Sequence, residues 1–187
     1  MTICLQQLYF HYPDGPQVFS DLSLVLPEQG TVLLTAPSGR GKTTLLRLIA
    51  GLEQPQAGAV QGTEQLRFAW VFQQDRLLPW ATVWQNVALA GDLQTAKRYL
   101  TNLGLEDQLQ QYPSALSGGM ARRAAIARAL SYGGDVVLLD EAFNGLDLQN
   151  QQIAAQLLCE RFPLRLLVTH RLEEASLFTD VHRIFLP

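Results

Sequence analysis

The stretch TVLLTAPSGRGKTTLLRLIAGL, residues 31–52, decides the fold. It opens on TVLLTA, a continuous apolar run of the kind that fills a buried strand. It closes on KTTLLRLIAGL, where Leu45, Leu46, Leu48, Ile49 and Leu52 suit one helix face and Gly51 marks the end. Between them lies APSGRGKTT, residues 36–44. A glycine-rich turn between a strand and a helix lets successive backbone N–H groups converge on an anion. The helix N-terminus adds its partial positive charge. The ending Gly41-Lys42-Thr43 fits the phosphate-loop pattern GxxxxGK[ST].

In that reading the backbone from Ser38 through Gly39, Arg40, Gly41 and Lys42 to Thr43 wraps the phosphates. Lys42 reaches the β- and γ-phosphates, the Thr43 hydroxyl ligates Mg²⁺, and Thr44 adds a phosphate contact. Ala36 stands where the pattern asks for its first glycine. If the loop needs positive φ there, alanine strains it by about 1 kcal/mol.

Outward from this stretch, buried-strand runs alternate with helical ones. DVVLLDEAF and LRLLVTH read as further buried strands, and residues 148–162 and RLEEASLFTD as helices. Alternation of this kind predicts an α/β sheet, largely parallel. The opening residues, rich in β-branched and aromatic side chains, predict two or three short strands with turns at 13–15 and 27–30. Residues 54–72 return to short strands around Gly58 and Gly62. Residues 74–116 read as mostly helical and form the candidate inserted lobe. LSGGM, residues 116–120, precedes another helix.

Three further groups are placed to reach a phosphate. Asp140 and Glu141 end a buried strand, where an aspartate can hold Mg²⁺ and a glutamate can polarise a water for in-line attack. His170 ends another strand of the same sheet and suits a γ-phosphate contact. Gln73 follows an apolar run that ends at the same crevice, and its position alone leaves open whether its amide meets Mg²⁺ or the attacking water. His11 and His182 have no such context.

Composition narrows the classes. Of 187 residues, 48% are hydrophobic and 17% charged, which supports a sizeable core and argues against disorder. A net charge of −3 argues against a nucleic-acid binder that works through bulk positive charge. Cys4 and Cys159 have no metal-ligand spacing, so they read as two reduced, buried thiols. The N-terminus has no signal-peptide pattern, and no run approaches the roughly 20 apolar residues of a membrane span. The chain is expected to be soluble, with any membrane link through a partner.

Taken in order, APSGRGKTT, VFQQ, LSGGM, VVLLDE, NGLD and VTH resemble the nucleotide-binding subunit of ABC transporters, as Walker A, Q-loop, signature, Walker B, D-loop and H-loop. The resemblance covers nearly the whole chain. It implies a P-loop NTPase (RecA-like) core with a mostly parallel sheet, an N-terminal antiparallel β-subdomain and an inserted helical subdomain. Residues 1–73 and 117–187 would form the core with the β-subdomain, and 74–116 the lobe, within a single domain 1–187. It further implies that Tyr12 stacks on adenine and that Gln73 contacts the metal. Ser117, Gly118 and Gly119 would bind the γ-phosphate of ATP held by a second copy, and Asp147 would act across the dimer interface.

The family works as a head-to-tail pair with two ATP molecules sandwiched between protomers, so an active ATPase using ATP and Mg²⁺ is expected. Its partners would be integral membrane permease subunits, with a solute-binding protein in importers, and no nucleic acid. Its place would be the cytoplasmic face of the bacterial inner membrane. Met120, where the family often has Gln, Ala142, where Pro usually follows the glutamate, and Ala36 depart from the common pattern. The run RLLPW, residues 76–80, is similar to ATPases of the nitrate, sulfonate and taurine importer group. Leu77, Leu78, Pro79, Trp80 and Trp84 either pack inside the lobe or line a groove for a permease helix. The alternatives are an ABC-type ATPase without transport and a degenerate ATP-binding scaffold.

Overall fold

The runs that read as buried strands pair with one another. In the computed structural model, which describes residues 2–186, β3 (Gly30–Thr35), β6 (Val136–Asp140) and β7 (Leu164–Val168) lie at the centre of a parallel sheet. With β5 (Phe68–Val71) and β8 (Val181–Phe185) at its edges, the order is β5-β6-β7-β3-β8. All four pairings are parallel, and Val168 lies opposite both Leu34 and Asp140. The carboxyl ends of β3, β6 and β7 therefore stop at one level, the position where open α/β sheets bind ligands.

Successive side chains of a strand point to opposite faces, so one sheet supports two cores. Val32, Leu34, Leu138, Leu166 and Val168 pack with α1 (Lys42–Ile49) and with the second sheet. That sheet joins β1 (Cys4–His11), β2 (Gln17–Val25) and β4 (Ala57–Gln61), antiparallel, in the order β2-β1-β4. Leu33, Val137, Leu139 and Leu167 pack on the other side with α2 (Val83–Ala88), α3 (Leu93–Asn102), α4 (Gly118–Tyr132) and α5 (Leu148–Arg161). The helical lobe thus shares its core with the main sheet.

Within residues 74–116 the helices are shorter than expected. Thr82 and Gln85 form a capping box at α2, and Asp92 caps α3. Asn86, 1% exposed, donates through Nδ2 to the carbonyls of Leu78, Ala81 and Thr82 and accepts from the Leu78 N–H at 2.7 Å. One buried amide therefore fixes the irregular chain before α2.

Two expectations are corrected and one strand is added. RLEEASLFTD forms a six-residue 3-10 turn, Leu172–Leu177, rather than an α-helix. It has no side-chain N-cap, and so short a segment cannot repay α-helix nucleation. The strand β8 that follows was not anticipated. The thiols are free, but Cys4 is only half-buried and Cys159 is exposed on α5.

Candidate active site

The phosphate loop leaves β3 and turns into α1. Its left-handed residues are Gly39 (φ 78°) and Gly41 (φ 80°). A Cβ at Gly41 would collide with Val18 and Phe19. Ala36 has no positive φ, so the expected strain there does not arise. The N-terminus of α1 has no side-chain cap and no acidic residue in its first turn, which leaves its polarity open to an anion. Lys42, 7% exposed, donates from Nζ to the carbonyls of Ala36 at 2.9 Å and Pro37 at 3.2 Å. An ammonium has three protons, so one remains for a phosphate.

The Thr43 hydroxyl donates to Asp140 Oδ2 at 2.9 Å. Asp140 is buried, and burial pushes its carboxyl above the usual range. The Thr43 hydrogen bond, Arg47 and Lys42 oppose that rise, and Glu141 adds to it. Glu141 leaves the strand at φ 54°, a left-handed conformation that costs a β-carbon residue roughly 1–3 kcal/mol. Its N–H is held by the Val168 carbonyl at 2.9 Å. Asn144 Nδ2 donates to Oε2 at 3.1 Å. His170 Nε2 stands 3.2 Å from Oε1 but outside hydrogen-bond alignment, so Oε1 is buried with a polar neighbour and no hydrogen bond.

Tyr12, Gly39, Gly41, Lys42, Thr43, Thr44, Gln73, Asp140, Glu141 and His170 line one cleft of about 390 Å³. Tyr12 is half-buried, edge-on to Phe10 at 5.0 Å, with its hydroxyl 3.3 Å from Thr44 Oγ1. Ser38 and Arg40 sit exposed on the same loop.

Ser117, Gly118, Gly119 and Asp147 do not join this cleft. Ser117 caps α4 by accepting from the Met120 N–H at 3.3 Å. Gly118 and Gly119 are the first two residues of α4, so the signature is a helix N-terminus rather than a turn. A Cβ on Gly118 would meet nothing within 4 Å, so the protomer itself gives no reason for that glycine. Asp147 caps α5, accepting from the Asn150 N–H at 2.8 Å and from its side-chain amide, bonds that lower its pKa.

Three residues went unnoticed in the sequence. Asn144 opens NGLD and touches Glu141. Arg122 and Glu174 are charged residues buried to 6% and 1% exposure. A charge on the apolar face of the run after LSGGM was the available signal for Arg122.

A phosphate loop facing an acidic strand end across a parallel sheet defines a nucleotide-hydrolysing P-loop domain. The pattern of the ABC transporter family matches residues 19–144. Over 173 residues the chain is 43% identical to the aliphatic sulfonates import ATP-binding protein SsuB 1 of Rhodococcus jostii (strain RHA1), covering 87% of this chain and 71% of that one. It is 42% identical to SsuB 3 of Paraburkholderia xenovorans (strain LB400), covering 89% and 70%. Among solved structures, a dimeric post-hydrolysis state of the ATP-binding cassette MJ0796 bound to ADP and Pi superposes with a TM-score of 0.84. It shares 27% identity and covers 97% of this chain and 94% of that one. The chain belongs to the ABC transporter family, as an ATP-binding subunit with ATPase chemistry.

Proposed function

We propose that the chain hydrolyses ATP with Mg²⁺ as half of a head-to-tail dimer and powers import of a sulfonate-class solute through a membrane permease. The observation that carries the chemistry is the cleft in which Lys42, Thr43, Asp140, Glu141 and His170 converge. Glu141 Oε1, free of hydrogen bonds, is the acceptor for a proton of the attacking water, while Asn144 steadies Oε2. His170 beside it suits a γ-phosphate contact.

The oxygens of Thr43 and Asp140, 2.9 Å apart, fit a hard cation, with the Gln73 amide in the same cleft. When bound, Mg²⁺ would neutralise charge on the β- and γ-phosphate oxygens. Tyr12 would flank the adenine. The bare N-terminus of α4 at Ser117, Gly118 and Gly119 lies outside this cleft, which supports a phosphate partner on a second copy. Asp147 would lie near that interface. The relatives named as aliphatic sulfonates import ATP-binding proteins support the solute class and the direction of transport.

For the permease, the residues after Gln73 divide. Leu77 and Trp84 pack against the lobe core, and Trp84 together with Leu78 also lines the neighbouring groove. Trp80 (74% exposed), Leu89 (72%) and Leu93 (62%) line a groove of about 560 Å³. Exposed aromatic and aliphatic anchors of this kind suit an amphipathic helix. A second hollow of about 440 Å³ lies between Leu52, the stacked Trp70 and Phe72, and Tyr132. Among the described residues no helix is long and apolar enough to cross a membrane. A site on the cytoplasmic membrane face would therefore come through the permease.

The test is Glu141→Gln, followed by light scattering. ATP should convert the variant from monomer to dimer. A monomer at every ATP concentration would overturn the head-to-tail reading.

A further inference from the structure

Two arginines on α4 grip the chain that leaves β5. Arg122 donates through Nη1 to the Phe72 carbonyl at 2.7 Å and through Nη2 to the Gln73 carbonyl at 2.6 Å. Its Nε lies 3.1 Å from Asp75 Oδ1, an ionic contact that lacks hydrogen-bond alignment. Further along the helix, Arg128 donates to the carbonyls of Arg76 at 2.7 Å and Asp75 at 2.8 Å. The carbonyls of Phe72, Gln73, Asp75 and Arg76, on a stretch with no regular structure of its own, are thus held by one helix. That helix begins at the signature. At about 1.5 Å per residue, Arg122 lies about 7.5 Å along the axis from Ser117.

Packing does not require an arginine here. Ala124, Ile126, Ala127 and Leu130 already seat α4 on the sheet. Burying a guanidinium costs desolvation that an apolar side chain of similar length avoids. What the guanidinium adds is a rigid fork that fixes two carbonyls at once.

We propose that Arg122 is a positioning residue that makes the Gln73 segment and the Ser117–Gly119 helix end one rigid body. Engagement of Gln73 with nucleotide in its own cleft then sets the pose of the helix end offered to the nucleotide of a second copy. This rests on the dimeric ATPase reading above.

The experiment compares Arg122→Met, which keeps length and packing, with Arg122→Lys, which keeps charge but loses the fork. Both should bind ATP by calorimetry within about twofold of wild type, while kcat falls roughly 10- to 100-fold at little-changed KM. Hydrogen exchange should rise at residues 72–76 and stay unchanged in β3, β6 and β7. In a Glu141→Gln background, the ATP concentration that drives dimerisation should rise. If both variants keep a kcat within about twofold of an active wild type, the inference falls and the ATPase reading stands. If the loss of kcat is matched by an equal loss of ATP affinity, Arg122 is structural and the inference falls. A wild type that neither hydrolyses ATP nor dimerises removes the underlying reading, and this inference with it.

Discussion

Alanine at Gly118 separates two roles for the helix end at the signature, one serving its own protomer and one facing a partner. Gly118 opens α4 without positive φ, and its added methyl would meet nothing within 4 Å. The protomer should therefore accept the change. Alanine exceeds glycine in helix propensity by up to about 1 kcal/mol, less at a first helical position. The melting temperature should hold or rise by roughly 2 °C. ATP affinity at dilute protein should not change, because the protomer's own phosphate loop is untouched. Steady-state hydrolysis should collapse, since the methyl occupies the space where the partner's phosphate approaches the bare backbone. One lost hydrogen bond to a charged oxygen is worth about 1.5–3 kcal/mol, or roughly 10- to 100-fold in kcat/KM. The assay pairs ATPase kinetics with a thermal melt and binding of a fluorescent nucleotide. Hydrolysis within about twofold of wild type would refute the reasoning. So would a clear fall in melting temperature, which would show that Gly118 serves the protomer. Gly119→Ala is the contrast: its methyl would sit 3.1 Å from the Gly145 carbonyl, so some loss of stability is expected there.

Two further outcomes follow from burial. Trp80→Ala should leave the melting free energy within about 0.5 kcal/mol, because the side chain is 74% exposed, yet weaken co-purification with a permease; unchanged assembly would return Trp80 to a passive surface role. Glu174 is buried, and burial raises its pKa above 4.5, with the carboxylates of Glu141 and Glu173 adding to the rise and Thr169 and Arg171 opposing it. A raised acid stabilises the fold fully below its unfolded pKa and loses that contribution as pH rises through the folded pKa. Glu174→Gln should therefore gain melting temperature relative to wild type as pH climbs from about 4 to about 8. A gap that shrinks over that range would contradict the assigned cause.

The core strands were legible because each is a nearly continuous apolar run, and residues of that kind have nowhere to go but the middle of a sheet. The phosphate loop was legible because its glycines, lysine and threonine are adjacent in sequence. β8 and the turn at Leu172–Leu177 were not. β8 is an edge strand with the exposed residues His182, Arg183 and Phe185, so its pattern resembles a surface loop. The contacts of Glu141 were half-legible: His170 was anticipated at the crevice, but Asn144 reaches the carboxylate only because the chain turns back after Glu141 at positive φ. The charge of Arg122 in the apolar run after LSGGM was visible, but not its role, because its partners are main-chain carbonyls some fifty positions away.

The protomer carries unfavourable terms at its site that its own contacts do not relieve. Glu141 sits at φ 54°, at roughly 1–3 kcal/mol. Its Oε1 is buried without a hydrogen bond, and an unpaired buried polar group costs about 1–3 kcal/mol. Against a total stability of about 5–15 kcal/mol, terms of that size are tolerated only because the doubly covered sheet beneath them is continuous from β5 to β8. A water held for attack would give Oε1 a donor, and a phosphate would draw on the remaining Lys42 proton. The same two events would complete the chemical site. Nucleotide binding and the pairing of these groups therefore point the same way, and the N-terminus of α4, outside the cleft, is left for the phosphate that the proposed second protomer would bring. On the proposed reading, the ATP-bound pair would satisfy Glu141 Oε1 and the remaining Lys42 proton together, and loss of the phosphate would remove both contacts at once.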